Sequence, residues 1–223
     1  MPVRINPLIT GDIVHVMNRG VARQLIHRDA RDYRLALEGL RYYRHDELPM
    51  RYSHFRELKP LSQFSILAEL ETQVAIPLVD VLGFTFMPNH WHLLLRQRVD
   101  GGITTFLRRW TNSYTRFFNT RHERIGPLFQ GVFKSVGIHS DELLLHVSRY
   151  IHLNLVVAGM LSLNKLRTDP RSSFGQYVGD QATWCDTQLI LDLTGSVERY
   201  ELFVADHVDY GKQLEQIKHL TLE

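Results

Sequence analysis

The sequence predicts an α+β fold, with an antiparallel hairpin near the middle of the chain and two long helices after it. The hairpin consists of an apolar, β-branched run over residues 79–87, a turn at Pro88 and Asn89, and a second extended run, His90–Gln97. The helices occupy 103–120 and 140–157, where apolar residues recur three and four positions apart. A hydrophobic fraction of 44% is sufficient for a packed core.

The first predicted element is a strand over residues 12–18, which ends at Arg19 and Gly20. Asp29 is placed to cap a helix that runs to about Tyr43. Prolines interrupt the next segment, 44–78. We interpret this segment as a peripheral insertion or connection, in which residues 61–72 could form one helix, and we assign it no chemical role.

The two long helices flank a shorter extended segment. The aromatic residues of 103–120 have helical spacing, which predicts packing in a core in preference to stacking on nucleic-acid bases. Extended character returns over 128–138. Ser140 is then placed to cap the second long helix, and Gly159 to end it.

The composition loosens beyond Gly159, and residues 166–179 have the Ser, Gly, Asp and Pro content of a loop. Short helices are predicted over 187–193, 197–207 and 210–220. We therefore expect a main domain over 1–160 and a helical C-terminal extension over 161–223 that packs on it.

Composition argues against several classes of protein. No run approaches the roughly 18 apolar residues that cross a membrane, and residues 1–6 lack the apolar stretch of a secretion signal. Cys185 is the only cysteine, which excludes an internal disulfide and a cysteine-rich zinc site. A reducing, cytoplasmic setting is expected.

Positive charge is concentrated between Arg96 and Lys134, where eight basic residues stand against two acidic ones, although the net charge of the chain is only +2. This distribution indicates contact with a polyanion. A solvated helix face accounts for the same pattern, so the segment alone does not decide between the two.

Two histidines enter the second hairpin strand one residue apart. Because side chains alternate along a strand, His90 and His92 share a face, while Trp91 points the other way into a core. Two imidazoles on an exposed strand face suit a divalent metal ion, although such a pair is more often structural or incidental. His15, on the first strand, either lines the same site or is an ordinary partly buried histidine.

The helix over 140–157 carries Tyr150 and Asn154, which are neighbours on one face, and His146 lies one turn earlier. Two neutral imidazoles and an oxygen donor can hold a divalent cation and leave positions open for phosphodiester oxygens. A tyrosine hydroxyl becomes a nucleophile on deprotonation, which a nearby cation favours. Tyr150 is therefore a candidate nucleophile, or alternatively a packing residue of an amphipathic helix.

Four segments resemble, in the same order, those of the single-tyrosine (HUH-type) transposases of bacterial insertion sequences. They are HVMNRG at 15–20, MPNHWHLL at 87–94, FQGVFKS at 129–135 and SRYIHLN at 148–154. The resemblance covers about residues 11–160, and the tail beyond it is similar to the REP-associated branch. Two departures are Leu155, where an Asn-Pro pair is commonly expected, and the bulky Trp91 between the histidines.

The resemblance implies a ferredoxin-like antiparallel sheet with helices packed on it. It further implies that His90, His92 and the side-chain oxygen of Asn154 bind Mg²⁺ or Mn²⁺. Tyr150 would attack single-stranded DNA next to a hairpin, forming a 5′-phosphotyrosine and freeing a 3′-hydroxyl. The protein would act as a monomer or homodimer, away from membranes. Basic candidates for contact with the DNA backbone are Arg108, Arg109, Arg116, Arg121, Arg124 and Lys134.

Two other functions fit the same residues. One is a DNA-hairpin-binding regulator that keeps the fold but no longer cuts, which Leu155 and the long tail favour. The other is a metal-dependent hydrolase that uses water, in which Tyr150 only packs. A strand transferase would show metal-stimulated cleavage, which the regulator would not. It would also form a covalent protein–DNA adduct, which the hydrolase would not.

Overall fold

A four-stranded antiparallel sheet organises the computed structural model, which describes residues 8–72 and 76–207. The strands are β1 (Ile13–Arg19), β2 (Val79–Phe86), β3 (His90–Gln97) and β4 (Lys134–Ile138), in the spatial order β2-β3-β1-β4. The helices are α1 (Ala30–Tyr43), α2 (Tyr52–Phe55), α3 (Pro60–Thr72), α4 (Gly102–Arg121), α5 (Asp141–Val157), α6 (Leu163–Leu166), α7 (Phe174–Tyr177), α8 (Gln188–Thr194) and α9 (Val197–Ala205). With α1 before β2 and α4 before β4, the chain has the βαββαβ order of a ferredoxin-like fold. The predicted fold class is confirmed.

Side-chain caps begin two of the helices that organise the fold. The Asp29 carboxylate accepts hydrogen bonds from the backbone N–H groups of Arg31 and Asp32, at 2.9 and 3.1 Å. The Ser140 hydroxyl accepts one from the N–H of Leu143 at 3.2 Å. Both residues thus satisfy donors that the first turn of a helix leaves unpaired, as the sequence predicted.

The sheet separates two hydrophobic cores. On one face of the sheet, Trp91 and the other β3 residues that point the same way pack against the apolar sides of α1 and α4, around Trp110. On the other face, Leu94 packs with Ile151 of α5 and with the C-terminal helices. The alternation predicted for β3 is confirmed, and α5 covers the face that carries the paired histidines.

The last strand is shorter than the sequence suggests. Extended character was predicted over 128–138, but only Lys134–Ile138 pairs with β1. Gly131 has a φ of 67°, which interrupts an extended run. Phe129 forms an isolated bridge to Gly20 before that interruption.

The chain after α5 covers the outer edge of β2. The N–H of Ser173 donates to the Phe84 carbonyl at 3.0 Å, and the N–H of Phe86 donates to the Arg171 carbonyl at 2.8 Å. The predicted loop over 166–179 therefore pairs with the sheet and also contains α7. Its attachment protects an otherwise open strand edge.

A buried polar network joins α5 to this C-terminal region. His152 lies between the Ser173 hydroxyl, 2.8 Å from its Nε2, and the Tyr200 hydroxyl, 2.7 Å from its Nδ1. Burial lowers the pKa of His152 to about 3, so the ring is neutral. Helices α8 and α9 agree with two of the predicted helices, whereas the one predicted over 210–220 lies outside the described residues.

A search of residues 8–72 and 76–207 for a membrane-spanning helix finds none with the required length and apolar character.

Candidate active site

The histidine face of β3 is covered by α5. The sequence suggested an exposed strand face, but the His92 side chain is only 1% exposed. That expectation was wrong because α5 is held against the sheet. Thr85, the cross-strand neighbour of His92, donates a hydrogen bond of 2.5 Å to the Ile151 carbonyl of α5.

His15 belongs to the same site. Strand β1 pairs with β3 so that His15 stands opposite Leu94 and diagonally from His92. The His15 Nε2 lies 2.9 Å from the His92 Nδ1, and the two rings stack with centroids 5.1 Å apart. Of the two interpretations of His15, the structure favours the one in which it lines the site.

Tyr150 reaches this cluster from α5. Its ring centroid lies 5.5 Å from that of His92 and 6.0 Å from that of His15, with both contacts edge-on. The side chain is nevertheless 48% exposed. A phenol is therefore held beside the imidazoles and is also open to a ligand from solvent.

The imidazoles of the site are neutral. Burial lowers the pKa of His15 and of His90 to about 4 each, and the charge of Arg19 adds to the effect on His90. Burial lowers the pKa of His92 well below its usual value, and the neighbouring His15 and His90 lower it further. Neutral rings offer the lone pairs that metal binding requires.

Hydrogen bonds determine which ring nitrogens can bind a ligand. The His90 Nδ1 lies 2.7 Å from the Asn89 side-chain oxygen, which can only accept, so Nδ1–H donates and Nε2 carries the lone pair. If the Nδ1–H of His92 donates to His15, the His92 Nε2 carries a lone pair too. His90 and His92 have centroids 5.1 Å apart.

Arg19 is a site residue that sequence reasoning missed. It stands directly across β1–β3 from His90. Its Nε is buried and has no hydrogen-bond partner among the described residues. The available signal was strand alternation, because His15 and Arg19 are four residues apart and therefore share a face of β1. A guanidinium next to the histidines is suited to a phosphate.

Asn154 and His146 differ in their surroundings. The Asn154 Nδ2 donates to the Tyr150 carbonyl at 2.8 Å, which leaves the side-chain oxygen as the group available to a ligand. His146, which the sequence placed near the site, is engaged elsewhere. Arg149 donates to its Nδ1 at 2.7 Å, and its ring lies 6.0 Å from that of Phe203.

The donor set fits a divalent cation only if an amide contributes. No group of three or more His, Cys, Asp or Glu side chains in the described part of the chain is arranged to hold a metal ion. The ligand set predicted from the sequence, the imidazoles of His90 and His92 with the amide oxygen of Asn154, stays a prediction. Such a mixed set of nitrogen and oxygen donors, with positions left for phosphate oxygens, can hold a divalent cation.

The predicted DNA-contacting residues fall into two groups. Three are exposed and have no carboxylate partner within the described residues: Arg108, Arg116 and Lys134. The other three are engaged within the protein: Arg109 with Asp46 at 3.0 Å, Arg121 with Asp29 and Asp32 at 2.6 and 2.5 Å, and Arg124 with Asn119 and the Pro127 carbonyl. A polyanion would have to compete with these internal partners for the second group.

Comparison with known proteins gives a match in structure alone. No model of a known protein family matches the chain, and no curated protein matches it in sequence. Solved structures do match, among them a REP-associated tyrosine transposase bound to a REP hairpin. The chain has that protein's fold. The alignment covers 84% of this chain and 93% of the transposase chain, with a TM-score of 0.52 and 14% identity.

The match bears on the sheet and its helices. The resemblance to REP-associated tyrosine transposases, which the sequence motifs indicated, is confirmed at the level of the fold. At this identity the transposase structure assigns no role to any residue of this chain.

Proposed function

We propose that the protein is a metal-dependent DNA strand transferase that cuts and rejoins single-stranded DNA next to a hairpin. The observation that carries the proposal is the position of Tyr150, half-exposed and edge-on to His92 at 5.5 Å. The likeness in fold to a transposase bound to a DNA hairpin supports the choice of substrate. The partner is single-stranded DNA with a hairpin, and the setting is the cytoplasm.

In the proposed reaction, the Tyr150 hydroxyl oxygen attacks the phosphorus of a DNA phosphodiester. The bond between that oxygen and phosphorus forms, and the bond to the 3′-oxygen of the preceding nucleotide breaks. The products are a 5′-phosphotyrosine and a 3′-hydroxyl. The proton lost by the phenol and the one gained by the 3′-oxygen balance through solvent. Attack by a 3′-hydroxyl reverses the step and rejoins a strand.

The chain's own residues prepare the phosphate for attack. His90, His92 and the Asn154 oxygen would hold Mg²⁺ or Mn²⁺. When bound, the cation supplies positive charge that offsets the charge developing on the phosphate. Arg19 contributes a fixed positive charge on the same face of the sheet. The hydrogen bond from Thr85 to α5 keeps the tyrosine helix over the histidines.

Incubation with DNA that carries a hairpin and single-stranded arms, with Mg²⁺, tests the proposal. We expect cleavage and a covalent protein–DNA adduct that resists denaturation. Tyr150→Phe should abolish both, whereas Tyr33→Phe, on the opposite side of the sheet, should change neither. His90→Ala should abolish cleavage and leave hairpin binding largely intact.

Three outcomes would overturn the proposal. Binding of the hairpin without any metal-stimulated cleavage would favour the regulator. Cleavage without an adduct would favour a hydrolase that uses water. Equal loss of binding and cleavage in His90→Ala would assign the histidine a structural role.

A further inference from the structure

A groove lies on the outer side of α4, away from Tyr150. The apolar stripe of α4 faces the sheet, and its opposite side forms, with α1 and α2, a groove of about 770 Å³. A helix layer about 10 Å thick and the sheet itself lie between this groove and α5. The groove is therefore a surface distinct from the candidate active site.

Arginine dominates this surface. Six arginines line the groove, Arg31, Arg51, Arg56, Arg109, Arg116 and Arg121, and its lining includes no aspartate or glutamate. Arg109 and Arg121 are paired with carboxylates that lie outside the lining. Within residues 8–72 and 76–207, the other four have no carboxylate partner. The groove thus presents unneutralised positive charge that favours a polyanion.

The other side chains indicate which form of polyanion fits. Proteins that bind single strands offer aromatic planes on which bases stack. Here the three aromatic residues of the lining are already engaged. The Tyr52 hydroxyl donates to Glu38 at 2.8 Å, the Tyr43 ring packs against that of Tyr52 with centroids 5.3 Å apart, and the Arg56 guanidinium covers the Phe117 ring at 4.8 Å. The remaining lining consists of hydroxyl and amide groups: Ser53, Asn112, Ser113 and Thr120. Arginine, hydroxyl and amide groups are the usual partners of backbone phosphates.

We propose that this groove binds the sugar–phosphate backbone of a double-stranded DNA stem. Segment 51–56, to which sequence reasoning gave no chemical role, supplies one wall, and α4 supplies another. The inference rests on the proposed function in one respect, namely that the stem belongs to the hairpin whose single-stranded arm reaches Tyr150. Binding of the stem itself requires no cleavage.

Fluorescence anisotropy with a labelled DNA hairpin that has a stem and a loop but no single-stranded arms tests the groove. The variant Arg51→Gln/Arg116→Gln removes two exposed charges from it, and Lys165→Gln/Arg199→Gln removes two exposed charges from the C-terminal helices. Titrations between about 50 and 200 mM salt give the dependence of affinity on ionic strength. Thermal denaturation confirms that each variant folds.

We expect the groove variant to bind the stem about tenfold more weakly. The slope of log K against log salt should fall by about 2 in magnitude, because each lost phosphate contact removes roughly 0.9. The control variant should change affinity less than about twofold. Equal weakening by both variants, or by neither, would overturn the inference. The inference would also be overturned if an unpaired strand bound more tightly than the stem and if the groove variant, but not the control variant, weakened that binding.

Cleavage of a hairpin with arms, measured in parallel, separates this inference from the proposed function. Tyr150→Phe should bind the armless stem as the wild-type protein does. Stem binding that depends on the groove, without cleavage, would refute the strand transferase and support the groove. If the groove variant cleaves at the wild-type rate and binds the stem with wild-type affinity, the strand transferase is supported and the groove inference is refuted.

Discussion

Replacing His15 with leucine removes the hydrogen bond between its Nε2 and the Nδ1 of His92, which is 2.9 Å long. The His92 side chain is 1% exposed, so water cannot take the place of the lost partner. An unpaired buried polar group costs about 1–3 kcal/mol of folding stability. Residues that hydrogen-bond to metal ligands commonly contribute about 10- to 100-fold. We therefore expect His15→Leu to weaken Mn²⁺ binding by about 10- to 100-fold.

Titration of the DNA-free protein with Mn²⁺, followed by electron paramagnetic resonance, measures this effect without reference to activity. His15→Gln is the matched variant, because its side-chain amide can accept or donate a hydrogen bond and so can replace the His15 Nε2 as the partner of the His92 Nδ1. It should restore affinity to within about threefold of wild type. Wild-type affinity in His15→Leu would refute the reasoning. Equal weakening in both variants would show that His15 acts through something other than this hydrogen bond.

Three further predictions concern charge, ligand set and pH. Arg19→Gln should slow cleavage about a hundredfold in a gel assay with hairpin binding retained, and an unchanged rate would exclude Arg19 from the site. Asn154→Leu should weaken Mn²⁺ binding about tenfold while Asn154→Asp restores it, and equal affinities in a titration would remove Asn154 from the ligand set. Burial lowers the pKa values of His27 and His152 to about 4 and 3, so their contribution to stability is complete above the unfolded pKa near 6.5 and is lost as the pH falls. These two rings alone should cost at least about 3 kcal/mol of unfolding free energy between about pH 7.5 and 5.5 in urea titrations. His15 and His90, whose pKa values burial also lowers, add to the loss, and equal stability at both pH values would contradict this.

Local signals predicted most of the elements. Asp29 and Ser140 satisfy the first turns of their helices, as expected from cap chemistry. Strand alternation correctly placed Trp91 in one core and His92 on the opposite face. These features depend on residues within a few positions of one another, which is the range over which sequence patterns are informative.

The register between distant strands was beyond such signals. His15 and His92 are 77 residues apart, and only the pairing of β1 with β3 brings their rings together. Likewise, helical spacing left Arg109 outside the inner stripe of α4. It could not indicate that Asp46, from another segment, pairs with that arginine.

Sequence patterns also could not predict that another element covers the histidine face of β3. A strand with alternating character commonly has one solvated face. Here α5 returns over that face, which buries His92 and brings Tyr150 to it. Helices α5, α8 and α9 share one core. The predicted division between residues 160 and 161 stays a prediction.

Mapping the covalent adduct by mass spectrometry tests the central claim most directly. After incubation with hairpin DNA and Mg²⁺, nuclease and protease digestion should leave a nucleotide on the peptide that contains Tyr150, linked through its 5′-phosphate. The DNA fragment released should end in a 3′-hydroxyl. A nucleotide on any other residue, or cleavage that leaves the peptide unmodified, would contradict the account.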